Sequence, residues 1–313
     1  MVYLIIMILV LNSKVMSYKM PFNYLLNPGH SACAGCGELL AMRHVLQAAG
    51  ENTIVANATG CSEVTTSKYP MSSFKVPWIH ANFENPIAVA SGILASLKQK
   101  GEQENVNVIA WGGDGATFDI GIGLLSGSWE RGENILYVCF DNEAYMNTGV
   151  QASGATPIDA NTTTSPPGKK SEGNQLNKKN MLAIALAHNC SYVASATVGN
   201  LIDIDTKVKK ALSIKGPKYL QILVTCVPGW YTDSKDTVRV ARLAQQTGIY
   251  PVVEYVNGLL TNVAKCPTPK PFVEEYLKLQ GRYKHLFSKD GDDVEEIAKI
   301  QAVADENVRK YGL

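Results

Sequence analysis

Two apolar strands, each followed directly by a polar turn, constrain the fold more than any other part of the sequence. Residues 106–111 run into Gly-Gly-Asp-Gly at 112–115, and residues 134–140 end in Asp141 and Asn142. Glycines at the carboxyl end of a strand let the backbone approach a diphosphate, and a helix that follows them offers free N–H groups. Asp and Asn supply the oxygen ligands that Mg²⁺ prefers when it bridges phosphates. This stretch therefore predicts a metal–diphosphate site at the mouth of a parallel sheet.

The spacing of the two turns resembles the thiamine diphosphate motif. Asn142 follows Asp114 by 28 positions and stands at the end of an apolar strand. In that motif the Asp and Asn side chains bind Mg²⁺ together with the carbonyl two residues beyond the Asn, which implies Asp114, Asn142 and Ala144 here. Gly-Asp-Gly alone is a common tight turn and carries no weight. The second half at the right distance makes the interpretation specific.

The composition is that of a folded chain in a reducing compartment. Its 313 residues could form one large α/β domain or a domain with a tail, and 46% of them are hydrophobic. The formal charge is +1 at pH 7, and no segment is typical of a basic nucleic-acid face or a polybasic membrane patch. Seven cysteines, an odd number, do not indicate a secreted disulfide scaffold. We therefore expect a cytoplasmic protein with no nucleic-acid and no membrane partner.

Strands, Gly-rich turns and helices alternate through most of the chain, which predicts an α/β fold with a doubly wound, mostly parallel sheet. The predicted strands are 53–58, 106–111, 134–140, 192–196 and 219–225. The predicted helices are 39–49, 87–97, 118–129, 181–188 and 202–214. Residues 152–178 show neither period, and we interpret them as a long active-site loop.

Three regions follow from these patterns. Residues 27–231 form the predicted α/β domain, and residues 232–313 a C-terminal extension. The extension carries helical patterns and is expected to pack on the domain or on a partner subunit; the patterns cover 236–246, 273–280 and 294–311. Residues 1–26 are an N-terminal extension in which no motif is recognised.

The N-terminal extension contains an uncharged apolar run at residues 2–11. Ten residues are too few to span a bilayer, which needs about twenty. No basic residue precedes the run and no clear cleavage site follows it, which disfavours a signal peptide. Met16 and Met20 lie just beyond, so a mis-assigned start codon is the favoured explanation over a membrane anchor.

Four of the seven cysteines stand in Gly- or Pro-containing turns at the ends of predicted elements. They form Cys-x-x-Cys, a third Cys 25 positions on, and a distant fourth, at Cys33, Cys36, Cys61 and Cys226. Thiolates on turns can converge on one site, whereas Cys139 and Cys190, in or beside regular elements, are expected in the core. Cys266 has no assigned role. A structural zinc site is one interpretation, but its usual second Cys-x-x-Cys is missing. A Cys₄ iron–sulfur cluster fits dispersed thiolates better.

Taken together, the motifs resemble those of the β subunit of multisubunit pyruvate:ferredoxin oxidoreductases, in the 2-oxoacid:ferredoxin oxidoreductase family. The matching segments span nearly everything after residue 27; they are 28–37, 58–63, 77–80, 83–85, 112–115, 141–149, 162–168 and 276–287. The resemblance implies a [4Fe–4S] cluster held by Cys33, Cys36, Cys61 and Cys226.

The same resemblance implies the residues that contact thiamine diphosphate. They are Glu38, Cys61, Gly113, Asp114, Gly115, Ala116, Asn142, Glu143, Ala144, Tyr145, Met146 and Asn147. Asn147 matches an Asn beside the substrate and is the predicted catalytic residue. Read without the family, Glu38 would be a first-turn helix charge favoured by the helix dipole, and Asn147 a turn residue.

The family reaction requires other chains. It implies oxidative decarboxylation of pyruvate to acetyl-CoA and CO₂, with coenzyme A as acyl acceptor and ferredoxin as electron acceptor. This sequence shows one thiamine-type α/β unit and lacks the dense cysteine run of a ferredoxin domain. We therefore expect an α subunit that completes the thiamine site and γ and δ subunits that carry ferredoxin-type clusters. The alternatives are another 2-oxoacid such as oxalate, without coenzyme A, or a non-catalytic iron–sulfur module.

Overall fold

The computed structural model describes residues 24–68, 70–288 and 291–313. The apolar run at 2–11, Met16 and Met20 lie outside the described residues, so the interpretation of the N-terminus stays a prediction. Among the described residues, no helix is both long and apolar enough to cross a membrane.

The core of the fold is an eight-stranded sheet with the order β2-β1-β3-β4-β6-β5-β7-β8. Its strands are β1 (Thr53–Ala58), β2 (Trp78–Ala81), β3 (Asn107–Gly113), β4 (Leu136–Asp141), β5 (Tyr192–Thr197), β6 (Lys218–Leu223), β7 (Val253–Val256) and β8 (Leu259–Val263). The first six pair in parallel, and β7 and β8 add an antiparallel edge. The predicted α/β class with a mostly parallel sheet is confirmed, and the predicted strand bounds are within two residues of those observed.

Helices cover both faces of this sheet. They are α1 (Gly37–Ala49), α2 (Cys61–Thr66), α3 (Pro86–Lys100), α4 (Ile122–Glu130), α5 (Met181–Ala187), α6 (Leu201–Ser213), α7 (Val227–Trp230), α8 (Thr237–Gln246), α9 (Val273–Leu277) and α10 (Val294–Tyr311). Side chains alternate between faces along each strand. In β4, Val138 and Phe140 pack towards α1 and α6, whereas Tyr137 and Cys139 pack towards α3, α4 and α5. Cys139 and Cys190 are buried, as predicted for core residues.

The predicted helix at 118–129 is wrong at its start. The chain instead forms a π-helical turn over Gly115–Ile120, and α4 begins only at Ile122. Gly121 N–H donates to the carbonyl of Ala116, five residues back, at 3.0 Å. A Cβ on Gly121 would overlap that carbonyl, so only glycine lets the chain close this wider turn.

The three helical patterns of the C-terminal extension are observed as α8, α9 and α10, and between α8 and α9 the extension also contributes the β7–β8 hairpin to the sheet. Asn257 and Gly258 connect the two strands with φ values of 49° and 78°. Asn-Gly between two apolar runs is a strong hairpin signal that the helical interpretation missed. The extension packs on its own domain through a third apolar core, which joins α8, α9 and α10 to Leu223 and Trp230. The boundary at residue 231 stays a prediction.

The central position of β6 can be tested by truncating one side chain. Ile222 is fully buried in the core between the sheet and its helices. Ile222→Ala should lower the free energy of unfolding by about 2–5 kcal/mol, because it leaves a cavity that the sheet cannot close. Leu259→Ala, on the exposed edge strand, is the matched control and should change it little. Equilibrium denaturation followed by circular dichroism would measure both, and equal losses would contradict this arrangement of the core.

Candidate active site

Four polar turns meet at one edge of the sheet. Because β1, β3, β4 and β6 are adjacent and parallel, their carboxyl ends lie side by side. Cys61 follows β1, Asp114 follows β3, Asn142 follows β4, and Cys226 follows β6 by three residues. Ligand sites of doubly wound sheets occur at this edge.

A cavity of about 220 Å³ opens among these turns. Its lining includes eight of the predicted site residues: Cys33, Cys36, Glu38, Cys61, Asn142, Met146, Asn147 and Cys226. All four predicted cluster cysteines therefore face one space. Cys266 lies elsewhere, with its sulfur 3.7 Å from the carbonyl of Gln245 at the end of α8. Cys226, which follows the parallel strand β6, thus opens on this edge, whereas Cys266 follows the antiparallel edge strand β8 and does not.

Two glycines allow the Cys33–Cys36 segment to reach the end of β6. Gly37 N–H donates to the carbonyl of Thr225 at 3.1 Å, and a Cβ on Gly37 would lie only 2.7 Å from the Thr225 nitrogen. Gly35 has a φ of 78°, and a Cβ on it would lie only 2.6 Å from the carbonyl oxygen of Ser234. A side chain at either position would push this segment away from Cys226.

The buried thiols repel one another as anions. Burial, with the nearby Glu38 carboxylate, raises the pKa of Cys36 to about 11, and burial raises that of Cys226 to about 12. The pKa of Cys61 is raised further by burial and by the same neighbours. A set of thiolates in this cavity needs a cationic centre to offset its charge. Within the described residues, no three His, Cys, Asp or Glu side chains are close enough to hold a single metal ion.

Three polar groups meet at the ends of β3 and β4. One end of the Asn142 side-chain amide lies 2.8 Å from the Ala144 carbonyl oxygen and 2.9 Å from Asp114 Oδ1. Without a cation, the NH₂ group in this position donates to both oxygens. With a cation, the amide oxygen would take that position and the three oxygens would share the ion. The donor set is the one that Mg²⁺ prefers, so these residues fit the metal.

Asp114 is held in place for this arrangement. Its Oδ1 accepts from the backbone N–H of Asn142 at 3.3 Å, and its Oδ2 accepts from Ser153 Oγ at 2.5 Å. Burial, and then the neighbouring Asp141, raise the pKa of Asp114 well above its ordinary value. A bound cation would reverse that shift by stabilising the carboxylate.

Comparisons with known proteins agree with this geometry. The family model of the thiamine pyrophosphate enzyme C-terminal TPP-binding domain matches residues 58–222. The pyruvate synthase subunit PorB of Methanosarcina barkeri is 51% identical over 95% of this chain and 100% of its own length. The ketoisovalerate oxidoreductase subunit VorB of Pyrococcus abyssi is 42% identical over 87% of this chain and 89% of its own length.

The chain belongs to the pyruvate synthase subunit PorB family of 2-oxoacid:ferredoxin oxidoreductases. Members of this family are subunits of larger enzymes, and the α/β domain described above is their thiamine diphosphate-binding domain. A solved structure supports the fold: a 2-oxoglutarate:ferredoxin oxidoreductase from Magnetococcus marinus has a TM-score of 0.56 at 23% identity, over 70% of this chain and 79% of that chain.

The remaining predicted cofactor residues lie around the cavity rather than in its lining. Gly113 ends β3, and Ala116 is buried in the π-helical turn. Gly115 leaves space for the Tyr145 ring, which a Cβ would overlap, and the Tyr145 hydroxyl donates to Asp119 at 3.0 Å. The Glu143 side chain is buried and turns away from the cavity. Asn147 is exposed at the cavity mouth, a position that suits a turn residue and a substrate neighbour alike.

Sequence reasoning missed several residues that support the site. Ser153 and Trp230 both bond directly to the metal-ligand turns, Trp230 through an Nε1–H that donates to the Asn142 carbonyl at 2.7 Å. Lys178 and Arg282 both pair with Glu143. The only signal for Arg282 was its place in the family-matching segment 276–287. No sequence signal marked Lys178.

Removing the metal carboxylate should separate cofactor binding from folding. Asp114→Ala should abolish Mg²⁺-dependent retention of thiamine diphosphate. The two uncharged oxygens that remain would not hold the Mg²⁺ ion, which is needed to offset the negative charge of the diphosphate. Asp205→Ala, which removes a carboxylate paired with His44 on the outer helices, is the control and should retain the cofactor. Thiamine content after dialysis would be measured for both. Full retention in Asp114→Ala would refute the assignment of this turn.

Proposed function

We propose that this chain binds thiamine diphosphate, Mg²⁺ and a [4Fe–4S] cluster in a complex that oxidises pyruvate to acetyl-CoA and CO₂ and reduces ferredoxin. The convergence of four cysteine side chains with Asn142 and Asn147 on one cavity carries this proposal. A cluster held by these cysteines would lie beside the predicted cofactor site as an electron acceptor, which a decarboxylase without electron transfer would not need.

The substrate assignment is supported by the comparison of relatives. The PorB relative, named for pyruvate synthase, is 51% identical, whereas the VorB relative, named for ketoisovalerate oxidoreductase, is 42% identical. We therefore propose pyruvate, with another 2-oxoacid as the alternative. A non-catalytic iron–sulfur module is disfavoured, because Asp114, Asn142 and Ala144 keep the complete oxygen set for the metal.

The residues of this chain would bind and orient the cofactors. Bound thiamine diphosphate supplies the carbanion chemistry that decarboxylates a 2-oxoacid, and the protein supplies position and electrostatics. Asp114, Asn142 and Ala144 would hold Mg²⁺ against the diphosphate. Cys33, Cys36, Cys61 and Cys226 would hold the cluster as thiolates. Asn147, at the cavity mouth, would donate its amide hydrogens to the substrate.

A second subunit would complete the site by covering the helices next to it. Residues 85–97 in and before α3, and 120–129 through α4, contain no charged side chain. Parts of both segments are exposed, including Gly123, Leu124 and Ile120. Surfaces of this composition indicate a contact with another protein. Because α4 follows the π-helical turn after Asp114, the subunit that binds there would reach the cofactor, as expected for the α subunit.

The wider assembly follows the family expectation. We propose γ and δ subunits with ferredoxin-type clusters, ferredoxin as the external electron acceptor, coenzyme A as the acyl acceptor, and a cytoplasmic location. Family membership supports the presence of other subunits.

The cluster assignment predicts different outcomes for two cysteines. Cys226→Ser should lower the iron and sulfide content of the complex by about one cluster and slow electron transfer to ferredoxin, because Cys226 lines the cavity. Cys266→Ser should leave both unchanged, because its sulfur lies near Gln245, at the end of α8. Iron analysis and low-temperature EPR would measure this. One bound zinc in place of iron, or a cluster lost only in Cys266→Ser, would contradict the assignment.

The subunit contact predicts the effect of one added charge. Leu124→Asp should weaken assembly of the complex, because it puts a carboxylate into the uncharged face of α4. Ile202→Asp is the control. Ile202 is an exposed residue of α6, on the face of the sheet opposite α4, so this variant should assemble normally. Size-exclusion chromatography of co-expressed subunits would compare them. Normal assembly of the Leu124 variant would contradict this placement of the partner.

A further inference from the structure

The residue between the two turn ligands has an unusual backbone conformation. Glu143 stands between Asn142 and Ala144 and has a φ of 69°, in the left-handed region. A residue with a Cβ adopts this region at a cost in free energy. The conformation reverses the chain locally, so that the Asn142 side-chain amide and the Ala144 carbonyl oxygen lie 2.8 Å apart. We call residues 142–144 the ligand turn.

Two cations hold the Glu143 side chain on the side away from the cavity. Lys178 Nζ lies 2.8 Å from Oε1, and the Arg282 guanidinium lies 2.6 Å from Oε2. The side chains of Glu143 and Arg282 are 6% and 2% exposed, so solvent screens this pair little. Lys178 also lies 2.6 Å from Asp141 Oδ2, immediately before the ligand turn. The two cations thus contact both acidic side chains at the end of β4.

Arg282 is coupled to the ligand turn by a second route. Its guanidinium lies 3.8 Å from the centre of the Trp230 ring, a cation–π contact. Trp230 in turn donates its Nε1–H to the Asn142 carbonyl at 2.7 Å. One arginine therefore supports the residues on either side of the Asn142–Glu143 peptide bond.

The charges leave one carboxylate for the metal. Asp114, Asp141 and Glu143 are all buried at this edge. Asp141 and Glu143 have cationic partners within 4 Å, whereas among the described residues Asp114 has none and instead lies 2.9 Å from the Asn142 side-chain amide. A salt bridge with a purely structural role would not require two of the three carboxylates to be paired with cations and the third to be left for the metal. It would also not require a residue in the left-handed backbone region between two metal ligands.

We infer that Lys178 and Arg282, through Glu143 and Trp230, are positioning residues that hold the ligand turn in its metal-binding conformation. The inference rests on the Mg²⁺ site of the proposed function. Neither cation touches the substrate or the metal oxygens. Their part is to keep the Glu143 backbone in the left-handed region, so that the Asn142 side chain and the Ala144 carbonyl already lie side by side before the metal binds.

The test measures Mg²⁺ affinity in the whole purified complex, by calorimetric titration with Mg²⁺ at saturating thiamine diphosphate. Glu143→Gln keeps the shape and removes the charge, and Lys178→Met removes one partner. Both should raise the Mg²⁺ dissociation constant about 10- to 100-fold, the usual effect of losing a residue that orients a metal ligand. At saturating Mg²⁺ the kcat should recover, because the ligands themselves are intact. Arg282→Lys keeps the charge and should raise the Mg²⁺ dissociation constant less. This conservative variant provides the test if the other two variants do not fold.

Lys207→Met is the matched control. Lys207 is more enclosed than Lys178, with 2% against 21% of its side chain exposed, and its Nζ lies 2.7 Å from Asp203 and 2.7 Å from the Ser195 carbonyl, but it supports no ligand of the site. It should lose thermal stability and keep the parent Mg²⁺ affinity. If the Glu143, Lys178 and Arg282 variants also lose only stability, the inference is wrong while the metal site stands. If the parent complex binds thiamine diphosphate without any divalent cation, the metal site fails and the inference fails with it.

Discussion

The parallel pairing of β3 with β4 is the constraint on which the site depends. The register sets Gly112 opposite Cys139 and Gly113 opposite Phe140, so the two strands end together. Asp114 and Asn142 then emerge side by side, close enough for the Asn142 backbone N–H to bond to the Asp114 carboxylate. Because strand register is fixed by two buried faces, neither turn can shift without exposing core side chains. The rigidity of the sheet is thereby passed to the ligands.

The same edge concentrates acidic groups whose negative charge, when they ionise, the chain does not fully neutralise. Buried carboxylates and thiols meet there, and burial raises the pKa of Asp114 and of the cavity cysteines. Lys178 and Arg282 neutralise the side chains behind the ligand turn, but none of the charges that face the cavity. Metal cofactors would supply that compensation and would stabilise the folded chain as they bind. Without cations the ionised forms of these buried groups are unfavourable, and bound cations would stabilise them.

Sequence patterns predicted most of the parallel strands and the turns that follow them, and missed contacts between residues that are distant in the chain. Five of the eight strands of the sheet were recognisable as apolar runs, and the Gly-Asp-Gly turn and Asn142 from their spacing. Cys226 could be chosen over Cys266 because strand topology decides which turns share an edge. The Glu143 pairs could not be predicted, since Lys178 and Arg282 lie 35 and 139 residues away and only the folded chain brings them together.

Two further misses have local causes. The π-helical turn depends on close approach at Gly121, which a helical hydrophobic pattern does not reveal. The β7–β8 hairpin carried its Asn-Gly signal in the sequence, but the charged, helical character of the surrounding extension outweighed it. Neither miss involves a predicted metal or cluster ligand, although the π-helical turn contains Gly115 and Ala116 of the predicted cofactor contacts.

Anomalous diffraction from crystals of the whole complex, grown with Mn²⁺ in place of Mg²⁺, would test the central claim most directly. Data collected at the manganese and iron absorption edges would locate both metals independently. The account predicts a manganese peak bonded to the Asp114 and Asn142 side chains and the Ala144 carbonyl. It also predicts iron peaks in the cavity lined by Cys33, Cys36, Cys61 and Cys226. Manganese bound elsewhere, or a cavity without iron in the active complex, would contradict it.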